Sequence, residues 1–129
     1  MTPELSILAL AGLLQVVQFC IYSVLAQMQV GTKYAASSRD TPRELKGKAG
    51  RAQRALNNHF EGLILFTAAV AVVTLSGQST ATTQTCAYLY LAARIVYLPA
   101  YLFGWTPWRS LIWAVGLIAT AVMLISALI

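Results

Sequence analysis

The sequence predicts an all-α integral membrane protein, a single-domain bundle of four membrane-spanning helices. Hydrophobic residues make up 58% of the 129 residues and charged residues only 10%. A soluble domain of this size keeps a large fraction of its surface in water and could not hide so much apolar area. The apolar residues also fall into four stretches, each close in length to the ~20 residues that a helix needs to cross a bilayer. A membrane protein of four spans is therefore the expected fold class.

The first span is predicted over residues 4–29. Thr2 is a capping residue, Pro3 suits a first helical turn, and Glu4 lies near the positive end of the helix dipole. No basic segment precedes the apolar stretch, which runs past the length of a signal peptide. We therefore expect a membrane anchor that is retained.

The second span is predicted over residues 50–75, after a capping-box pair, Thr41 and Glu44, with the periodic helix beginning near Lys48. Its uninterrupted apolar run, 62–75, is too short to cross a bilayer alone. The membrane must then reach back over polar residues, which should face protein or a water-filled cavity instead of lipid. These residues are Asn58, His59 and Glu61.

The third and fourth spans are predicted over residues 83–103 and 107–128. Pro99 lies inside the third span, where neighbouring helices can satisfy the carbonyl that a proline leaves free. Thr106 and Pro107 form another cap-plus-proline start, for the fourth span.

The basic residues indicate the topology. Seven of the nine Lys and Arg residues lie between Lys33 and Arg54, in and just after a first loop at about residues 30–50. Loops rich in Lys and Arg stay in the cytoplasm, which places both termini outside, and we expect a bacterial inner membrane. Tyr34 is the only aromatic residue among these basic residues, so the charge does not indicate nucleic-acid binding.

The two cysteines and the single histidine are expected to be structural. Cys20 and Cys86 should differ in membrane depth by roughly 15 Å, beyond the reach of a disulfide, and both should be small buried hydrophobes. His59 has no second ligand at metal spacing, so packing is expected and a metal site is not.

Polar residues form one stripe on each of the two central spans. On the second span, the four polar residues between Arg51 and Glu61 are spaced 3, 4 and 3 apart, which at ~100° per residue places them within roughly an 80° sector of the helix. On the third span, the four residues between Tyr90 and Tyr101 are spaced 4, 3 and 4 apart and likewise share one side of the helix. Ionisable groups inside a membrane are costly and indicate function. The stripes are Arg51, Arg54, Asn58 and Glu61, then Tyr90, Arg94, Tyr97 and Tyr101, with Arg109 opening the fourth span near the same face.

Structural explanations for these residues stay open. Arg51 and Arg54 could extend to lipid headgroups, as arginines near span ends commonly do. Arg94 could form a structural ion pair with Glu61 or another acid. Tyr97 and Tyr101 could belong to an interfacial aromatic belt.

The chemistry of the stripes suits a small zwitterion with excess negative charge. Arginine forks match carboxylates, a glutamate can bind an ammonium, and an asparagine can pair with a peptide amide. Glutathione carries two carboxylates, one ammonium and two peptide bonds. Nearby arginine also lowers a thiol pKa by favouring the charged form. The residues permit glutathione without singling it out.

At these positions the sequence resembles the membrane-associated proteins in eicosanoid and glutathione metabolism (MAPEG), most closely the bacterial microsomal-glutathione-transferase-like members. The family's R-x-x-R-x-x-x-N-x-x-E pattern stands at 51–61 and its R-x-x-[aromatic or His]-x-x-x-Y pattern at 94–101. Its R-S pair stands at 109–110, and Gly50 stands where many members carry glutamate. Length, span count and the basic first loop are similar as well.

The resemblance implies a homotrimer that binds glutathione, without a metal, between subunits near the cytoplasmic face. It further implies that Arg109 stabilises the thiolate, which attacks a lipophilic electrophile arriving from the bilayer, as a transferase or peroxidase in detoxification. The implied glutathione-binding residues are Arg51, Arg54, Asn58, Glu61, Tyr97 and Tyr101, with Arg94 beside them.

Three other functions are compatible with parts of this pattern. A non-catalytic relative that binds glutathione or lipid would leave the thiol un-ionised, and an isomerase would use glutathione as a cofactor. A small multidrug transporter also has four spans, but it needs a carboxylate embedded in its first helix. Glu4, at the extreme end, is the only acidic residue in this first span.

Overall fold

The computed structural model describes residues 1–38, 44–105 and 107–129. Within these ranges the chain is helical and contains no strand, which confirms the all-α prediction. The helices are α1 (Pro3–Val30), α2 (Thr32–Ala35), α3 (Gly47–Leu75), α4 (Ala81–Leu102) and α5 (Trp108–Leu128).

Four of these helices, α1, α3, α4 and α5, are long and apolar enough to cross a membrane. Their bounds follow the predicted spans 4–29, 50–75, 83–103 and 107–128 closely. The apolar side chains on their outer faces are solvated by lipid in a bilayer, which is why so small a bundle can carry them. The chain is a multi-pass membrane protein.

Two helix starts use side-chain caps. Thr2 accepts a hydrogen bond of 3.3 Å from the amide of Leu5, as expected from the sequence. Thr80 and Thr83 form a capping box, in which each hydroxyl accepts from the other residue's amide, so α4 begins earlier than predicted.

The other two long helices start differently from the prediction. Helix α3 begins at Gly47, after an extended Lys46 that makes no side-chain cap. Helix α5 begins at Trp108, so Pro107 occupies the cap position instead of the first turn. Thr41, expected in the capping box, and Thr106, expected as a cap, lie outside the described residues.

The central pair of helices, α3 and α4, separates α1 from α5. Helix α1 packs on α3 and α4, and α5 packs on the same two, with no contact between α1 and α5 in the described parts of the chain. Phe66 and Tyr90 stack at 4.0 Å between ring centroids in the middle of the core. Ala11, Ala69 and Ala87 are fully buried, because small residues let membrane helices approach closely.

The segment before α3 is fastened to the end of α1. The Gln29 amide donates to the Lys46 carbonyl at 2.9 Å and accepts from the Lys46 amide at 2.7 Å. Both backbone groups ahead of the uncapped helix are thereby satisfied, which substitutes for part of the missing cap.

The cysteines differ in environment. Both are free, and Cys86 is buried in the core as expected. Cys20 is exposed on the outer face of α1, so the prediction of a buried Cys20 is wrong. Nearly every position of α1 is apolar, so the periodicity of its hydrophobic residues is too weak to show which face packs into the bundle.

Candidate functional site

The site residues gather at one end of the bundle, where α3 begins, α4 ends and α5 begins, here called the basic end. A turn closes α4 there: the Trp105 amide donates to the Ala100 carbonyl at 2.8 Å, and Gly104 has a φ of 68°. That left-handed conformation favours glycine and allows the chain to reverse directly into α5. Tyr101 and Arg109 are thereby brought face to face.

A cavity of about 260 Å³, the Tyr101 cavity, opens at the basic end between α3, α4 and α5. Its walls are mostly hydrogen-bonding side chains, which is unusual for a membrane bundle and typical of a site for a polar ligand. The lining residues are Asn58, Tyr97, Tyr101, Arg109, Ser110 and Trp113.

Two arginines converge on Tyr101. Arg54 donates from Nε to the Tyr101 hydroxyl at 3.2 Å, and the Arg109 guanidinium carbon lies 4.7 Å from the ring centroid. The Tyr97 ring follows at 5.6 Å from that of Tyr101. Stacking on an aromatic face stabilises a guanidinium while leaving its N–H groups free for an anionic ligand.

Arg94 supports the cavity from behind. It is 3% exposed, donates from Nη1 to Asn58 Oδ1 at 3.0 Å, and lies 4.4 Å from the Tyr97 ring centroid. The sequence left open a structural ion pair with Glu61, but the partner of Arg94 in the structure is Asn58. Arg94 thus holds the Asn58 amide in one orientation, which leaves the amide nitrogen free.

Arg51 lies apart from the Tyr101 cavity. Its Nη1 donates to the Leu102 carbonyl at 3.2 Å, one of the carbonyls left without an intrahelical partner at the end of α4. A cation at a helix C-terminus is also favoured by the helix dipole. Arg51 therefore joins the start of α3 to the end of α4.

Glu61 is exposed on the outer face of α3, and no side chain of the described ranges donates a hydrogen bond to it. The expectation that Asn58, His59 and Glu61 all face protein or a cavity agrees with the burial of Asn58 and His59, and for Glu61 it stays a prediction about the assembled protein. His59 is fully buried and Asn58 is half-buried. His59 falls on a different side of α3 from the other two residues, because it is rotated by about 100° from Asn58, whereas Glu61 is only about 60° from Asn58.

One polar contact in the core was not predicted. His59 donates from Nδ1 to Gln15 Oε1, which joins α3 to the middle of α1. The signal in the sequence is the pair Gln15 and Gln18, two amides in an otherwise apolar span. No group of three potential metal ligands occurs among the residues that the structure describes, His59 included.

A second cavity of about 270 Å³, the loop cavity, lies on the other side of Arg54, between α1, α2 and the start of α3. Glu44, Gln53 and Arg54 supply its polar walls. Its outer wall depends on Gly50, because a Cβ at that position would come within 2.8 Å of the Leu45 carbonyl oxygen. Glycine at position 50 therefore lets the 44–46 segment lie directly against α3.

Comparison with known protein families gives a match over nearly the whole chain. The family model described as the MAPEG family matches residues 7–129, a range that includes both polar stripes, the Tyr101 cavity, three whole spans and most of the first. Neither the curated proteins nor the solved structures contain a match. With the family model covering far more than half of the sequence, the chain belongs to the MAPEG family.

Proposed function

We propose that the protein is a glutathione-dependent membrane transferase or peroxidase, which activates the glutathione thiol for attack on a lipophilic electrophile. The observation that carries the proposal is the Tyr101 cavity, where Arg54 and Arg109 flank one tyrosine beside an oriented Asn58. Membership of the MAPEG family supports glutathione as the ligand. No metal is needed for this chemistry, because an arginine can stabilise the thiolate.

The proposed roles follow from the chemistry of each side chain. Arg54 and Tyr101 bind a carboxylate of the peptide, and the free Asn58 amide nitrogen donates to a peptide carbonyl. Arg94 acts through Asn58 and Tyr97. Arg51 lies apart from the Tyr101 cavity and is proposed to bind the part of glutathione that extends beyond it. Arg109 and Ser110, at the start of α5, lie where a helix N-terminus favours negative charge, so Arg109 is the residue proposed to stabilise the thiolate.

A homotrimer is part of the proposal. Glu61 and Arg54 are exposed on one subunit at a depth where lipid would be a poor environment for a charged side chain. A neighbouring subunit packed against this face of α3 would shield both and complete the glutathione site between chains. Glu61 would then bind the ammonium of glutathione.

The proposed orientation places the basic end in the cytoplasm and both termini outside, in a bacterial inner membrane. Lys46, Lys48, Arg51, Arg54 and Arg109 all belong to the basic end, as the positive-inside rule requires of a cytoplasmic face. The lipophilic second substrate would enter from the bilayer, since α5 exposes apolar side chains such as Leu111 and Trp113 beside the cavity.

The test is a glutathione titration of the detergent-purified protein, followed by ultraviolet difference absorbance of the thiolate at neutral pH. A saturable thiolate signal is the expected result. Saturable binding without thiolate would contradict the transferase and favour a non-catalytic binder, or an isomerase that uses glutathione as a cofactor. Absence of binding would overturn the glutathione site itself.

A transporter is less well supported by the geometry. Its coupling carboxylate would be Glu4, which is fully buried and accepts a 3.3 Å hydrogen bond from the Thr83 hydroxyl. That position is at the membrane boundary, at the opposite end of the bundle from the Tyr101 cavity. A carboxylate so placed suits a helix-end contact better than a transport site.

A further inference from the structure

A narrow notch of about 30 Å³ lies between α3, α4 and α5, on the inner side of Arg94, here called the Arg94 notch. Its polar wall includes Arg94, Tyr90 and Thr120, which are 3%, 2% and 3% exposed. Gly62 and Gly116 also line it, and the absence of side chains there provides the space. The Arg94 notch is separate from the Tyr101 cavity, although Trp113 lines both.

Three hydrogen-bond donors that belong to residues lining the notch have no acceptor among the described residues. They are Nε and Nη2 of Arg94 and the hydroxyl of Tyr90, while Nη1 of Arg94 is already bonded to Asn58. A buried donor without an acceptor costs about 1–3 kcal/mol, and more when the group is charged. Three such donors around one small space indicate that an acceptor occupies it.

Charge decides which kind of acceptor is favoured. Arg94 forms no ion pair with a carboxylate in the described part of the chain, and Glu61, on the neighbouring helix, is exposed. A water molecule would accept the hydrogen bonds but would leave the positive charge uncompensated in an apolar membrane interior. An anion would satisfy the donors and the charge together.

We propose that the Arg94 notch binds a small monovalent anion of the chloride class. A space of about 30 Å³ exceeds the ~10–15 Å³ that one water-sized particle needs, but it has no room for a tetrahedral oxyanion such as sulfate or phosphate. Trp113 stands between the notch and the Tyr101 cavity, since it lines both. This binding does not depend on the proposed glutathione chemistry.

The anion would act as the missing counter-ion of Arg94. With its charge compensated, the guanidinium can keep Nη1 on Asn58 and its face on Tyr97, so the ion helps to fix the back wall of the Tyr101 cavity. A bound anion at this position is a component of the folded subunit and should be present whether or not a peptide ligand is bound.

The experiment uses chloride NMR line widths on the detergent-purified full-length protein, in which bound chloride broadens the signal. We expect saturable broadening that added bromide displaces and added sulfate does not, and that remains with saturating glutathione. No saturable broadening would overturn the proposal. Complete loss with glutathione would overturn it as well, because the notch would then be part of the peptide site.

Two variants separate the notch from the exposed arginines. Tyr90→Phe removes one donor but keeps the ring that stacks on Phe66, and we expect roughly tenfold weaker chloride binding. Gly62→Ala places a Cβ 3.4 Å from the Tyr90 hydroxyl and 3.9 Å from Arg94 Nη1, which narrows the notch and should also weaken binding. Gly12→Ala, where a Cβ meets nothing within 4 Å, is the control. Equal affinity in all three variants would assign the broadening to surface arginines and refute the notch.

Discussion

Arg94 and Asn58 form a side-chain hydrogen bond between α4 and α3, with 3.0 Å between Nη1 and Oδ1. Because Arg94 is buried and Asn58 lines the Tyr101 cavity, the bond connects the interior of the bundle to the wall of the candidate site. The same contact therefore contributes to stability and to ligand geometry, and the two contributions can be measured separately.

Asn58→Ala should lower the thermal stability of the detergent-solubilised protein, because Arg94 Nη1 would lose its acceptor. The expected cost is about 1–3 kcal/mol, the penalty for an unpaired buried donor. Asn57→Ala is the matched control, since Asn57 is the same residue type one position earlier and is exposed. Equal melting temperatures for the two variants would show that the hydrogen bond contributes nothing to stability.

Arg54→Ala and Glu61→Ala should weaken glutathione binding without unfolding the bundle. Both side chains are exposed on a single subunit, so their removal leaves no buried group unpaired. Loss of a charged hydrogen bond to the ligand should reduce affinity by about tenfold, measured by calorimetric titration. Gln53→Ala, an exposed neighbour outside the Tyr101 cavity, serves as the control. Unchanged affinity in both variants would remove these two residues from the site.

The proposed homotrimer can be tested separately by measuring the mass of the detergent-solubilised protein with native mass spectrometry. Three chains per particle are expected, and Glu61→Lys should weaken the assembly by placing a like charge near Arg54 on the exposed face of α3. Asn57→Lys, on the same helix, controls for the added charge alone. A monomeric wild-type protein would leave Glu61 facing lipid and would contradict a site shared between subunits.

Much of the architecture follows from residue pattern because helix length and apolar runs are local properties. The end of α3 at Leu75 and the clustering of Tyr97, Tyr101 and Arg109 are examples of features that the sequence predicts. Spacing places residues on one side of a helix, and an antiparallel arrangement brings the ends of α4 and α5 together. These inferences need no knowledge of how the helices are rotated.

Helix rotation is what the sequence leaves open. Asn58 and Glu61 share a stripe, but α3 is turned so that Asn58 meets Arg94 while Glu61 faces outward. The pairing of Gln15 with His59 depends on the same rotation. In an almost uniformly apolar helix such as α1, hydrophobic periodicity cannot determine which face packs inward.

Gly50→Ala should destabilise the segment before α3. The new Cβ would lie 2.8 Å from the Leu45 carbonyl oxygen, a backbone atom that cannot move without shifting the 44–46 segment. We expect a loss of about 1–3 kcal/mol, as for overpacked positions, and faster hydrogen exchange at Lys46. Gly12→Ala, with nothing within 4 Å of the new Cβ, should behave as wild type. Wild-type exchange in Gly50→Ala would mean that the segment does not pack against α3.

Replacing Arg109 should separate binding from activation. Its guanidinium stacks on Tyr101 from the start of α5, and Arg54 donates to the Tyr101 hydroxyl independently, so Arg109→Gln should leave most of the glutathione affinity intact. A thiolate beside a cation is favoured over the thiol, so losing the cation should raise the pKa of the bound thiol. The ultraviolet thiolate titration should then shift to higher pH, and Arg109→Lys should titrate between the wild type and Arg109→Gln.

The control is Trp108→Phe, at an exposed neighbouring position, which should titrate like the wild type. An unshifted titration in Arg109→Gln would assign thiolate stabilisation to another residue, even if glutathione still binds.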